Sequence, residues 1–409
     1  KAALRRHLQA GMSHMAATLP KGTIEIHNGS IRANGLLSEP LHLDQIDLSI
    51  EFPPDRFNIE LHCHSNLWST LHISGFLEAG PLSGKIRCAL SQFDPMAFGK
   101  NFPAIGIQWT SRPWDIDASI NLNNPDHATS TLRVHIPDLM AQRNAQPVQL
   151  KELHLETSID YSPAGFRIDR VKMLADQPQL AIDGNAVIDL KTPHYQIDLT
   201  GHRLTIDPLR EAALALAGDD ETVAGIFDVL RGGKVPWITF RTRGQSAEEL
   251  AVFHNMTISG VVENGRLFIP GAELDLTQVH GRADISEGIL KGSRLEAAYG
   301  QTTGKNGQLW LDLDQENEVP FSLGIEVAAD LAPLPALLAK WVDDPVFKGE
   351  MKRIHPVTGT ARGMLILDGR NPTLDVTVDV TSCRFDAEYD RLPASLSINE
   401  GLVQYTPDR

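Results

Sequence analysis

Residues 374–380 read LDVTVDV, so that apolar side chains alternate with Asp or Thr at every second position. Successive side chains of an extended strand point to opposite faces, and this alternation therefore predicts a strand with one buried face. The same pattern recurs in FSLGIEV at 321–327, LWLDL at 309–313 and IDLSI at 46–50. We therefore predict a mainly β protein, an elongated, curved antiparallel sheet with a few short helices.

Glycine following Asn or Asp ends many of these runs. Examples are Asp183-Gly184, Asn264-Gly265, Asn306-Gly307 and Asp368-Gly369. Both residues of such a pair tolerate the positive φ of a tight hairpin turn. We therefore predict hairpin turns at these pairs and a meander of antiparallel strands.

Helical pattern is confined to a few segments. Residues 1–19 predict a short helical lead-in, and residues 20–409 an elongated β-repeat array. Short helical insertions are predicted near 93–100, 207–231 and 332–342, each preceded by a strand and started by proline. Strand, short helix and strand thus recur at irregular intervals, which favours an extended repeat array over a compact globule.

Composition narrows the function classes. The net charge is −15 over 409 residues, which disfavours nucleic acid as a partner because phosphate binding needs clustered lysine and arginine. Apolar stretches are too short and interrupted for a transmembrane helix, and Lys1 at the start leads us to expect a piece of a longer protein whose anchor lies elsewhere. The three cysteines are expected to be free thiols, with a Cys63–Cys88 disulfide as the alternative if their strands are neighbours.

A search for catalytic motifs finds no nucleophile elbow, phosphate-binding loop, dinucleotide fingerprint or zinc-protease helix. We therefore expect no enzyme activity, no catalytic residue and no cofactor. In His62-Cys63-His64 the two imidazoles share one face of a strand and in principle suit a metal. Without an acidic or cysteine partner at ligand spacing, we interpret them as surface histidines and expect no metal.

The strands and proline-started helices together resemble the AsmA-like superfamily of TamB- and YhdP-type proteins. The residues that carry this resemblance are LTIDPL at 204–209, MTISGVVENG at 256–265, ISEGILKG at 285–292 and GQLWLDL at 307–313. The resemblance implies a periplasmic protein, anchored to the inner membrane in its full-length form, whose β-groove carries phospholipid between the inner and outer membranes. It also implies an alternative, a structural β-scaffold that assists outer-membrane protein assembly or envelope integrity.

A one-sided apolar sheet must cover that face with something. Residue pattern alone leaves two answers open: a second protein layer that makes a closed core, or acyl chains held in an open groove. We hypothesise the groove, with phospholipid or another acyl lipid as partner and a membrane near the ends of the full-length protein. The candidate lipid-groove residues are Ile197, Leu199, Leu274, Leu276, Leu309, Leu311, Leu313, Leu323, Ile325, Val327, Leu365, Leu367, Leu374, Val376 and Val378.

Overall fold

A computed structural model of the chain describes residues 22–34, 40–53, 56–78, 82–96, 108–143, 147–219, 221–269, 273–313, 320–341, 344–370 and 373–406. These residues form two compact units. Unit 1 contains the described residues up to Leu204, together with Glu211–Asp219 and Arg241–Leu250; unit 2 contains Thr205–Arg210, residues 221–240 and the chain from Ala251 onward. The predicted helical lead-in at 1–19 lies outside the described residues.

Unit 1 is one antiparallel sheet in which strands that follow one another along the chain are also hydrogen-bonded neighbours, except that the short β6 pairs with β8 and leaves β5 to pair with β7. Its strands are β1 (Thr23–Ala33), β2 (Leu41–Glu51), β3 (Arg56–Ser65), β4 (Thr70–Glu78), β5 (Ser83–Phe93), β6 (Gln108–Ser111), β7 (Trp114–Asn124), β8 (His127–Gln142), β9 (Val148–Ser162), β10 (Gly165–Ala175), β11 (Leu180–Asp189) and β12 (His194–Thr205).

Unit 2 repeats this arrangement, with consecutive antiparallel pairing from β14 to β21. After β13 (Leu230–Gly244), whose residues are divided between the units, come β14 (Met256–Ile269), β15 (Leu274–Ser286), β16 (Ile289–Tyr299), β17 (Thr302–Asp312), β18 (Pro320–Asp330), β19 (Ile354–Arg370), β20 (Thr373–Tyr389) and β21 (Leu396–Tyr405). The predicted mainly β, antiparallel class with a few short helices is confirmed.

In the described part of the chain, four short helices follow two of the strands. Helices α1 (Ile206–Ala217) and α2 (Glu221–Val229) come after β12, and α3 (Leu334–Trp341) and α4 (Pro345–Met351) come after β18. Two 3₁₀ turns, Glu249–Ala251 and Phe253–Asn255, precede β14. Asp344 caps α4 by accepting a hydrogen bond from the Phe347 amide at 2.7 Å. Within the 93–100 segment, where we predicted a helical insertion, residues 97–100 lie outside the described residues.

The prediction of hairpin turns is wrong at Asp183-Gly184, Asn264-Gly265 and Asn306-Gly307, whereas at Asn34-Gly35, where it was also made, Gly35 lies outside the described residues. Asp183-Gly184 lies in the middle of β11 and pairs regularly with β12. Asn264 and Asn306 have positive φ angles of 50° and 53°, but each stands inside a strand where the register to a neighbouring strand shifts. These are β-bulges, which need the same left-handed backbone as a turn and increase the local twist of the sheet.

Candidate lipid-binding face

One face of the unit 1 sheet is apolar from strand to strand. Directly opposed residues of an antiparallel pair lie on the same face, so the register traces each face across the sheet. One such row takes one residue from each of β1–β5 and β7–β12. It consists of Ile26, Leu48, Leu61, Ile73, Cys88, Ala118, Leu132, Thr157, Val171, Gly184 and Leu199. Thr157 is its one residue with a polar group.

A second row runs parallel to the first across the same strands. It consists of Ile24, Ile50, Ile59, Gly75, Ile86, Ile120, Ser130, Ile159, Ile168, Ala186 and Ile197. Of these two rows, our candidate set contained Ile197 and Leu199 alone. The other members show the same period-two alternation in sequence, which could have identified them.

The opposite face of unit 1 is polar. Next to the first apolar row, on the side away from the second, runs a ladder of Asp117, Arg133, Glu156, Lys172 and Asp183, in which each residue opposes the next on the neighbouring strand and the charges alternate in sign. A surface depression of about 660 Å³ is lined by the first four of these residues and by neighbours that include His135 and His154. The sheet thus separates an apolar from a charged surface.

The apolar face of unit 1 keeps exposed surface. All described strands of the unit belong to one antiparallel sheet. Ile120, in the interior of the second row, is 50% exposed, and Ile24 and Ile26 on β1, the first described strand, are 42% and 40% exposed. The apolar face of unit 1 therefore keeps exposed surface, as an open groove requires.

Unit 2 has the same two-sided construction. One row of its apolar face consists of Gly260, Ala283, Gly292, Leu309, Leu323, Leu367 and Val376, one residue from each of β14–β20. Beside this row, Ile325 opposes Leu365, which opposes Val378. The structure therefore places these candidate groove residues on adjoining positions of a single face.

The remaining candidates lie as follows. Leu311 opposes Phe321, Val327 opposes Gly363, and Leu274 and Leu276 oppose Ile269 and Leu267 on the same face of unit 2. Leu313 follows the end of β17, where its amide donates to the Gly288 carbonyl at 2.8 Å. Leu374 opposes Gly369, but its side chain lies outside the described residues. Ile197 and Leu199 belong to unit 1, where they lie on the apolar face described above.

Small packed clusters stand at the ends of the apolar faces. In unit 2, Leu331, just after β18, is 8% exposed and packs with Ala361 and Cys383. In unit 1, the Trp114 ring lies 6.4 Å from that of Phe93 and 6.1 Å from that of Trp109, centroid to centroid. These contacts bury the ends of the strands, while the rows between them stay partly exposed.

The apolar face also influences the protonation of two cysteine thiols in unit 1. Cys63 and Cys88 lie on this face of unit 1, and both are free. Burial raises the pKa of the Cys63 thiol. The Cys88 pKa is also raised, by burial and by the negative charge of Asp117. Both groups are therefore held as neutral thiols, which suits an apolar surface and disfavours nucleophilic chemistry.

The unit 1 face is large compared with an acyl chain. Ten steps of about 4.8 Å between neighbouring strands give rows roughly 48 Å long, and strands of about ten residues at ~3.3 Å per residue are roughly 33 Å tall. One lipid leaflet contributes about 15 Å to a hydrocarbon core that is ~30 Å thick. The face therefore has room for more than one acyl chain.

Comparison with known proteins does not identify a family. No family model, curated protein or solved structure matches this chain. Within the described ranges, every helix is too short or too polar to cross a bilayer.

Proposed function

We propose that this chain binds lipid, with acyl chains lying along the apolar faces of the two units. The observation that carries the proposal is the unit 1 face, where apolar rows cross the sheet without interruption by a charged side chain and where Ile120 stays half-exposed. A soluble fold normally buries such a face against another element.

The energetics favour acyl chains as the missing layer. Transfer of a sixteen-carbon chain out of water is favourable by roughly 13 kcal/mol at ~0.8 kcal/mol per CH₂. The same contact would cover half-exposed side chains such as Ile120. Contacts between aliphatic side chains and hydrocarbon are not directional, so they do not hold an acyl chain at one position. A lipid bound in this way could therefore also move along the row.

The charge distribution favours binding through the acyl chains rather than through headgroups. The chain carries a net charge of −15, which disfavours attraction to anionic headgroups. On unit 1 the charged side chains, for example Asp117 and Arg133, stand on the opposite face of the sheet. Headgroups would then remain in water at the open side of the face.

We further propose, from the resemblance to AsmA-like proteins, that this lipid is phospholipid in transit between the inner and outer membranes. In this proposal the protein is periplasmic and the full-length protein is anchored to the inner membrane. It acts by conducting lipid and not by catalysis.

A scaffold role is the alternative, and one observation favours it. Strand β21 pairs with β20 alone among the described strands, and its Leu402 and Tyr405 are 80% and 52% exposed. A free edge with exposed apolar residues can accept a strand from another protein. In this case Leu402→Lys would abolish binding of a partner and leave lipid content unchanged.

Lipid content of the purified chain tests the main proposal. Native mass spectrometry and organic extraction should find phospholipid bound after gentle purification. A delipidated sample should take up a phospholipid with a fluorescent acyl chain from phosphatidylethanolamine–phosphatidylglycerol vesicles, in competition with unlabelled phospholipid. A folded chain that neither retains nor takes up lipid would contradict the proposal.

A further inference from the structure

Three potential metal ligands converge on the polar face of unit 1. His62 on β3 directly opposes His72 on β4, and Glu60 stands two residues before His62 on the same face. The two imidazole rings are stacked, with centroids 4.0 Å apart and planes inclined by 13°. The β3–β4 ladder is regular from Arg56 to Cys63, so the backbone fixes the three side chains relative to one another.

The donor atoms are close enough to share one ion, and the hydrogen bond between Glu60 and His62 is long. Glu60 Oε1 lies 3.5 Å from His62 Nε2 and 3.8 Å from His72 Nε2, and all three donors lie within 4.8 Å of one another. Donors of a tetrahedral zinc site with bonds of ~2.0–2.1 Å are separated by about 3.3 Å. Side-chain rotations that move the donors by about 1 Å would therefore complete the site.

His72 Nε2 provides an independent indication of a ligand. This atom is shielded from water and has no hydrogen-bond partner in the described structure. A shielded, unpartnered polar atom is costly in a folded protein unless a ligand or water satisfies it. The atom faces the Glu60 carboxylate from beyond hydrogen-bonding distance, which leaves the position between them for an ion.

No other cation competes for Glu60 among the described residues: its ion-pair contacts are those to the two imidazoles. Two imidazoles and one carboxylate are a donor set typical of zinc and its neighbours in the first transition series. Calcium and magnesium prefer oxygen donors alone.

We propose that Glu60, His62 and His72 bind one Zn²⁺ ion, which links β3 to β4 on the polar face. The side chains are 62%, 52% and 42% exposed, so that the remaining coordination positions are open to water. The sequence interpretation of His62 and His64 as surface histidines without an acidic partner did not consider His72, which the ladder places opposite His62, or Glu60.

A second cluster of the same composition, His135, Glu152 and His154, is excluded from the proposal. Its rings are also stacked, at 4.4 Å, but His135 Nε2 already makes a 2.9 Å hydrogen bond with Glu152 Oε2. An ion there would first have to break this bond. Because the cluster could still bind zinc weakly, the test uses His154→Ala as its parent protein.

The test is a Zn²⁺ titration of the purified chain in competition with a chromophoric chelator. We expect one ion per His154→Ala chain, and affinity at least tenfold lower in His72→Ala and in Glu60→Gln. His64→Ala is the matched control, since His64 lies on the same strand and the same face as His62 but outside the cluster, and its affinity should be unchanged. Mg²⁺ and Ca²⁺ should not displace the zinc.

Two results would overturn the proposal. One is the absence of zinc binding in the folded His154→Ala protein. The other is equal affinity in His64→Ala, His72→Ala and Glu60→Gln, each checked for native circular dichroism. Because Glu60→Gln preserves the shape of an exposed side chain, it tests the site even if His72→Ala fails to fold.

Discussion

Placing a charge in the middle of the unit 1 apolar face should remove lipid without unfolding the protein. We choose Ile120→Asp, because Ile120 lies in the interior of an apolar row and is 50% exposed. A fully buried isoleucine contributes ~1.5–3 kcal/mol, so losing the buried half should cost about 1 kcal/mol of unfolding free energy. A folded domain of ordinary stability tolerates this loss.

The effect on lipid should be much larger. An acyl chain lying over residue 120 would desolvate the new carboxylate, which would then have to be protonated. Protonating an aspartate at pH 7 from an ordinary pKa of ~3.9 costs about 4 kcal/mol, since each unit corresponds to ~1.36 kcal/mol. That is close to a thousandfold loss of affinity for lipid at this position.

Asn121→Asp is the matched control. It adds the same charge at the next residue of β7, on the polar face, where residue 121 opposes Lys85. Native mass spectrometry should find fewer lipids per chain in Ile120→Asp than in the parent and the parental number in Asn121→Asp. If Ile120→Asp is folded and retains the full complement of lipid, acyl chains do not lie on this face.

Three further predictions concern unit 2. Val376→Asp should lower the lipid content, whereas Thr377→Asp, on the other face of the same strand, should not; lipid extraction of both variants compares them. Asp207→Asn should cost about 1 kcal/mol of unfolding free energy at pH 7, a small effect because Asp207 is 46% exposed. Burial opposes ionisation of Asp207, but hydrogen bonds from the Gly233 amide and Arg266 outweigh it and lower its pKa, so this stabilisation is present above pH ~4 and lost as the pH falls through the folded-state pKa. Urea unfolding at pH 7 and pH 3 should show the difference between parent and variant shrinking at the lower pH. Leu331→Ala should cost about 2–3 kcal/mol, and Leu334→Ala, at a 38% exposed position, less than 1 kcal/mol, as measured by urea midpoints.

The sequence was sufficient to predict the fold class and which residues of the unit 2 strands share a face. Period-two alternation decides which residues of a strand share a face, and a meander brings successive strands together with few alternatives. Leu309, Leu323, Leu367 and Val376 were therefore predicted on one face, and the register places them in one row. Alternation does not decide whether a face is covered, since that depends on contacts between distant elements.

Bulges and turns could not be told apart from the sequence. Asn264-Gly265 and Asn306-Gly307 have the residues that left-handed backbone requires, and both conformations use it. What differs is whether the strand continues past the pair, which is decided by the neighbouring strand. In β14 and β17 pairing resumes on the far side of each pair, so the chain is bent without being reversed.

The proposed zinc site also depends on how neighbouring strands pair. This pairing makes the lipid proposal and the zinc proposal separable by experiment. His62 and His72 oppose each other on one face of β3 and β4, and the adjacent pair, Leu61 and Ile73, opposes on the other, within an apolar row. Substitution of His72 removes an ion from the polar face without introducing a charge next to acyl chains. Loss of zinc with retention of lipid would show that the ion serves only as a structural link between β3 and β4. Loss of both on His72→Ala would instead show that the link maintains the ladder that carries the apolar row.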